Sequence, residues 1–480
     1  MDRPGQPDRP REACGVMGVH GHPEAANIAY LGLYALQHRG QESAGICSRG
    51  GREGEQFVHR GMGLVSDVFG EQSIAKLRGR HAVGHVRYST SGDSTLRNAQ
   101  PFCANTDAGP VALAHNGNLV NAARVRDELE GRGAIFATTS DSEVIVHLLA
   151  RSRQPTLEDR LVDALSRLKG AYSLVMQTRD ALVAVRDPHG FRPLVLGQLD
   201  GAWVVASETC ALDLIGATVE RHIAPGEMVV IRRGKLGALQ PFPRADCGAF
   251  CIFEYIYFAR PDSNLPGGNV YAFRKELGRR LAREHPAPAD VVIPLLDSGN
   301  AAALGYAEEL GVPYDTGIIR NHFVGRTFIE PAQTIRNFGV KIKHNAIPGV
   351  ISGKRVVLVD DSIVRGTSIM KISNMLRAAG AREVHVRISA PPTTRPCHYG
   401  IDMPTRQELI AADLPVPEIC ASIGADSLGY LSLTGLRAAS GRGHCDACFS
   451  GEYPVPITAD SSPPQISLLR ESSAAAAAEG

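Results

Sequence analysis

The sequence carries almost no excess of charge, no long apolar run and no internal repeat. Its 51 Lys and Arg against 50 Asp and Glu leave a net charge of +1. With the signs interspersed, that balance argues against a broad nucleic-acid-binding face, though not against a local basic pocket. No apolar stretch approaches the roughly 18 residues that a membrane helix needs. The opening MDRPGQPDRPREA lacks the apolar core of a secretory signal, so a cytoplasmic location is expected. In that compartment the ten cysteines would be unusual as disulfides. Cys47, Cys103, Cys210 and Cys420 read as small buried hydrophobes. The remaining composition, 44% hydrophobic and 21% charged over 480 residues, is globular and too long for one core.

Residues 1–13 are polar and proline-rich and read as a disordered leader. From Cys14 to about Leu239, short apolar strands (CGVMGVH, HAVGHVRYST, VALAHNGNLV, AYSLVMQT, ALVAVRD, WVVASE, EMVVIRR) alternate with two helical stretches. In the second, Ser140 and Glu143 have the spacing of a capping box. Many strands with few helices predict a layered α+β domain. From about Phe250 to Pro391 the pattern changes to strand–loop–helix units such as KRVVLVDDSIVRG followed by TSIMKISNMLRAAGA. Continuous apolar strands alternating with helices predict a doubly wound parallel sheet. Residues 405–440 read as short helices and the Ala-rich end as a low-complexity tail.

Attack on an amide needs a nucleophile, a base and donors for the oxyanion. If the leader is removed, Cys14 supplies a thiol and a free α-amine on one residue. An α-amine titrates at roughly 7.7–8.0, so near neutrality it can accept the thiol's proton. By itself a Cys-Gly near an N-terminus is more simply a buried strand residue. Its company is more specific: His38-Arg39-Gly40-Gln41 closing a helix, GHVRYST at 84–90 ending a strand, His115-Asn116-Gly117-Asn118 as a turn, and Asp141 opening a helix. Together these resemble the class II glutamine amidotransferases over most of residues 14–239. The resemblance implies Cys14 as nucleophile, Asn116 and the Gly117 amide as oxyanion hole, and Arg39, Arg87 and Asp141 around the glutamine. Arg87 would take its carboxylate, Asp141 its α-amine, and Arg39 would lie beside the nucleophile. A guanidinium fork does suit a carboxylate.

The motif VVLVDDSIVRGTS at 356–368 delivers two adjacent acids, a polar turn and hydroxyls at the start of a helix. Loop amides and a helix N-terminus bind phosphate, and the C-terminal ends of parallel strands are where doubly wound sheets bind ligands. Ser362, Arg365, Gly366, Thr367 and Ser368 would surround a 5′-phosphate. Asp360 and Asp361 suit ribose hydroxyls and a hydrated Mg²⁺. The motif resembles the type I phosphoribosyltransferases, in the form found in the amidophosphoribosyltransferase family. That resemblance makes Leu296-Asp297-Ser298-Gly299 a second loop, contacting pyrophosphate with Ser298 near the metal. Relatives usually read Val-Pro-Asp-Ser where this chain has Leu295-Leu296-Asp297-Ser298. It also makes NHFVGRTFIEPAQTIR a lid, with Arg326 and Lys343 placed to neutralise pyrophosphate, and EYIYF at 254–258 an interdomain segment whose Tyr255, Tyr257 and Phe258 would wall an ammonia path.

Cys445-Asp446-Ala447-Cys448 is a C-x-x-C pair, with Cys397 and Cys251 far upstream. Such thiolates suit Zn²⁺ or an iron–sulfur cluster. One branch of the family carries both a cleaved propeptide and a 4Fe–4S cluster. The resemblance therefore implies a cluster on Cys251, Cys397, Cys445 and Cys448, with Cys247 competing for the first position.

The full expectation is an N-terminal-nucleophile hydrolase (αββα) domain followed by an α/β type I phosphoribosyltransferase domain. Its bounds are a 1–13 propeptide, a 14–245 amidotransferase domain, a 250–400 phosphoribosyltransferase domain, a 401–465 helical region with cluster ligands and a 466–480 tail. The family implies one Mg²⁺ and one 4Fe–4S cluster per subunit, glutamine and phosphoribosyl pyrophosphate as substrates, AMP- and GMP-type feedback, a homotetramer, and the first step of purine synthesis. Two rival readings remain. A different class II amidotransferase would lack the 360–368 loop. A non-catalytic nucleotide-binding regulator would have no need of an intact nucleophile with its oxyanion pair.

Overall fold

The computed structural model describes residues 14–50, 54–88, 93–107, 109–245, 248–320, 344–403 and 405–457. The expectations for the leader, Cys247, the lid with Arg326 and Lys343, and the tail lie outside the described residues.

Two antiparallel sheets stack face to face in the first half. One has seven strands, with Gly15–His20 between Ala202–Ala206 and His81–Arg87. The other has six, with Gly109–Leu119 between Phe102–Thr106 and Gly170–Gln177. Their facing surfaces are small and branched: Val16, Val83, Ala114, Val175, Leu182, Ala184 and Val205 form one buried cluster. Helices cover both outer faces. Ala25–Ala35 and Thr209–Ile215 pack on the first sheet; Ser142–Arg151 and Leu157–Leu165 pack on the second. This is the αββα arrangement the strand-rich pattern predicts, because each sheet must bury both faces.

The second half holds a four-stranded parallel sheet, ordered Val291–Pro294, Arg355–Asp360, Glu383–Ile388 and Ser427–Tyr430. Its central strand Arg355–Asp360 is buried from Val356 onward, as its unbroken apolar run requires. Asn300–Leu310 and Thr367–Ala378 follow the first two strands as crossover helices.

Four local expectations are corrected. Residues 115–118 are not a turn but lie inside the strand Gly109–Leu119, paired along Gly170–Gln177. Ser140 and Glu143 form no capping box: Asp141 is the N-cap, and Glu143 instead accepts from the Ala137 and Thr138 amides and the Thr138 hydroxyl. The amidotransferase half has more helix than two stretches, since Ala122–Glu130 buries only Val125, Arg126 and Leu129, too thin a stripe to stand out. The parallel sheet takes its fourth strand, Ser427–Tyr430, from beyond residue 400, inside the stretch read as helical. No helix among the described residues is long and apolar enough to cross a membrane.

Candidate active site

The strand Gly15–His20 presents Cys14 at its leading end, beside the end of His81–Arg87. The Cys14 thiol donates to the Tyr88 carbonyl at 3.4 Å. Burial raises its pKa, with the Arg87 cation pulling the other way and Glu42 and Asp141 adding to the rise. A buried thiol held above its ordinary range is protonated at neutral pH and needs a base to become a nucleophile.

Asn116 and Gly117 lie on the neighbouring sheet. The Asn116 side chain is fully buried, and neither its Nδ2 nor its Oδ1 has a hydrogen-bond partner. An unmet buried amide costs about 1–3 kcal/mol, a cost that a bound oxyanion would remove. Gly117 has φ +150°, and a Cβ there would meet the Ala171 backbone and lie 2.9 Å from His115 Nε2. Alanine in place of Asn116 is accordingly expected to lower glutamine-dependent turnover by about 10²–10³-fold, with KM for glutamine little changed. Steady-state kinetics on folded protein checks this; a parallel rise in KM with kcat kept would assign Asn116 to substrate binding instead.

Arg87 and Asp141 both come close enough to Cys14 to influence its thiol. Arg87 is buried; its Nη1 donates to Asp93 O at 3.1 Å and lies 3.7 Å from Glu42. Asp141 Oδ2 accepts from the Leu119 amide at 2.9 Å, pinning the strand end beyond the oxyanion pair. Arg39 does lie beside the nucleophile, with Nε donating to Cys14 O at 3.1 Å. Its Nη1 also donates to Glu208 at 2.5 Å, and Nη1 and Nη2 donate to the two oxygens of Glu254 at 2.9 and 2.7 Å, all with side chains fully buried. Burial favours the neutral forms, but the paired charges win: Arg39 is held above its ordinary range, and Glu208 and Glu254 below theirs.

The second site forms where Arg355–Asp360 ends. Asp360 Oδ1 accepts from Ser298 Oγ at 3.1 Å, which draws the 296–299 loop to the acids. Ser362 Oγ donates to Asp361 Oδ2 at 2.6 Å, and Asp361 Oδ1 is buried without a partner. Carboxylate oxygens of Asp360 and Asp361 with the Ser298 hydroxyl are the kind of donors a hydrated Mg²⁺ takes. Gly366, at φ +81°, caps the helix Thr367–Ala378, so Thr367 and Ser368 lie in its first turn, where amides point outward. Arg365 Nη2 donates to Glu408 at 2.8 Å, turned toward the 406–408 segment in this state.

The four cysteines come together from three places. Cys251 and Cys445 sit opposite each other in the parallel pair Phe250–Cys251 and His444–Cys445. Cys448 follows in the helix Ala447–Ser450, and Cys397 Sγ accepts from the Tyr399 amide at 3.3 Å. All four are free thiols. Burial is the main reason that Cys251 is pushed up to about 12 and that Cys445 and Cys448 rise well above the ordinary thiol range; the neighbouring thiols add to each rise. Among the described residues no three His, Cys, Asp or Glu side chains converge closely enough to hold a single ion.

The halves meet at the strand Gly109–Leu119. Asn118 Nδ2 donates to His398 O at 2.9 Å, and a Cβ on Gly400, itself at φ +98°, would lie 2.9–3.1 Å from the Gly117 backbone. Glu208, Arg192, Glu254, His398 and Gly400 were not singled out from the sequence. Only Glu254 carried a signal, an acid inside the aromatic run FEYIYF.

Comparison with known proteins agrees with this geometry. A family described as a glutamine amidotransferase domain matches residues 85–214. The chain is 53% identical over 459 residues to chloroplastic amidophosphoribosyltransferase 2 of Arabidopsis thaliana, covering 94% of this chain and 81% of that one. It is 49% identical over 464 residues to the amidophosphoribosyltransferase of Bacillus subtilis (strain 168), covering 95% and 97%. A solved structure of glutamine phosphoribosylpyrophosphate amidotransferase from B. subtilis, complexed with ADP and GMP, superposes with a TM-score of 0.89 at 48% identity over 94% of this chain and 99% of the other. With likeness extending over nearly its whole length and through both sites, the chain belongs to the amidophosphoribosyltransferase family.

Proposed function

We propose that the chain hydrolyses glutamine at Cys14 and transfers the ammonia to 5-phosphoribosyl 1-pyrophosphate. The products are 5-phosphoribosylamine, pyrophosphate and glutamate, the first committed step of de novo purine (IMP) synthesis. The observation that carries this is the coexistence of an unmet Asn116 amide on one sheet and a buried Cys14 thiol at the end of a strand of the facing sheet with a two-acid loop at the end of a parallel strand, the two halves bound at Asn118 and His398.

At the first site the Cys14 thiol gives its proton to its own α-amine and its sulfur attacks the glutamine amide carbon. The oxyanion that forms takes hydrogen bonds from Asn116 Nδ2 and the Gly117 amide. The α-ammonium then returns the proton to the leaving nitrogen, releasing NH₃, and water hydrolyses the thioester to glutamate. The amine is free only once residues 1–13 have been removed, so the leader is proposed to be a propeptide. At the second site Ser298, Asp360 and Asp361 would hold Mg²⁺, which when bound neutralises the departing pyrophosphate. The 362–368 loop and the helix start fix the 5′-phosphate. Ammonia attacks C1 as the C1–O bond to pyrophosphate breaks. Ammonia is largely protonated in water near pH 7, so passage through the buried junction of Tyr255 and Phe258 would keep it reactive.

Cys251, Cys397, Cys445 and Cys448 are proposed to carry one 4Fe–4S cluster per subunit. Four free cysteines brought together from 251, 397, 445 and 448 are the ligand type and number such a cluster takes. Nucleotide feedback, a homotetramer and a cytoplasmic location complete the proposal; the relative crystallised with ADP and GMP supports the first. Glutamine labelled with ¹⁵N at the amide tests the reaction: the label is expected in phosphoribosylamine formed in the presence of phosphoribosyl pyrophosphate. Label found only in free ammonia under saturating substrate would reduce the chain to a glutaminase. Intact mass and visible absorbance on anaerobically purified protein are expected to show loss of residues 1–13 and a broad iron–sulfur band that bleaches in air.

A further inference from the structure

We infer that Arg192 is a positioning residue that joins the cysteine quartet to the glutaminase nucleophile: one edge of its guanidinium serves the quartet, while Nη1 acts through Glu254 and Arg39 on Cys14. The inference rests on the cluster reading above and assigns to residues of this chain a coupling between that site and the glutamine site.

The Arg192 side chain is wholly buried. Nη1 donates to Glu254 Oε1 at 2.9 Å, and Nε donates to Tyr399 O at 3.1 Å. Nη2 is buried with no partner. Nε and Nη2 share one edge of a guanidinium, the edge Arg355 offers to Asp290. In Arg192 that edge therefore faces the 397–399 segment, where Tyr399 N donates to Cys397 Sγ at 3.3 Å. The preceding residue touches the quartet as well: Phe191 O accepts from Cys251 N at 3.1 Å, and the Phe191 ring stacks on Tyr399 at 4.3 Å.

A role confined to neutralising Glu254 would be met by Nη1 and leaves the orphaned Nη2 unexplained. A buried cationic donor without an acceptor is costly. The sulfurs of an anionic iron–sulfur cluster on the four thiolates would be its acceptors, and hydrogen bonds to such sulfurs tune both potential and stability. In the other direction the contacts are unbroken. Glu254 accepts from Arg39 on both oxygens, and Arg39 Nε holds Cys14 O. Every side chain in that path is buried.

The test uses the full chain, processed and purified anaerobically. Wild type is expected to contain iron and sulfide. Arg192→Lys keeps the charge but loses the fork. It is expected to lower the cluster's midpoint potential and to speed iron loss in air by about tenfold. It is also expected to slow alkylation of Cys14 by a diazoketone analogue of glutamine. Glu254→Gln, a near-isosteric change, is expected to keep iron at the wild-type level while slowing the same alkylation, and it serves also if Arg192→Lys does not fold. Iron-free wild type would overturn both the cluster reading and the inference. Iron-loaded wild type whose Arg192→Lys variant keeps the potential, the air stability and the alkylation rate would overturn the inference alone. So would a Glu254→Gln variant alkylated at the wild-type rate.

Discussion

Replacing Cys14 by alanine is expected to abolish glutamine-dependent synthesis while leaving synthesis from added ammonium salts intact. The thiol is the only group at the proposed glutamine site from which a thioester can form. Its loss leaves the 360–368 loop untouched, because Cys14 and Asp360 sit on different sheets in different halves of the chain. The burial cost of the change is small, since alanine is smaller and apolar and leaves only the weak contact to Tyr88 O unmade. Product formation with glutamine and with ammonium chloride, measured on the same preparation, decides the matter. Equal loss of both activities in folded protein would refute two separable sites. A pH dependence accompanies this in the wild type. The α-amine acts as base only when neutral, so glutamine use is expected to fall as pH drops through roughly 7.7–8.0.

The mirror experiment has a comparably large effect. Asp361→Asn is expected to reduce synthesis from either nitrogen source by at least about a hundredfold while glutaminase chemistry at Cys14 persists, as judged by alkylation with a glutamine analogue. Asp361 is 1% exposed and its Oδ1 has no partner. A carboxylate kept in that state is costly unless a cation or hydroxyl meets it. Asparagine retains the shape and the acceptor for Ser362 Oγ but removes the charge. Raising Mg²⁺ should restore little activity if Asp361 contacts the donor, and much of it if Asp361 only recruits the metal. Full activity in the variant would remove Asp361 from the site.

The two sites differed in how far they were legible beforehand. The phosphate loop could be read because its parts are contiguous: strand, acids, turn and helix start lie within 355–368, and local propensity alone assembles them. The glutamine site was legible only as scattered landmarks, and its local geometry was misread where tertiary pairing prevailed. Asn116-Gly117 has the composition of a turn, yet pairing with Ser173 and Tyr172 draws it into a strand. Arg39 lies beside Cys14, and its carboxylate partners Glu208 and Glu254 reach it from 169 and 215 residues away. No spacing rule links such positions.

The sequence by itself determined the kinds of layer, through periodicity, and it named Cys14, the 360–368 loop and the four cysteines as candidates, through residue chemistry, short motifs and family resemblance. Only the tertiary structure decided which charges meet. Arg39, Glu208, Glu254 and Arg192 would each be unfavourable alone in an apolar interior, and folding tolerates them there because two cations and two carboxylates arrive together. It likewise decided that Gly400 rests on the Gly117 backbone and that Asn118 holds His398, contacts between residues some 280 positions apart in sequence.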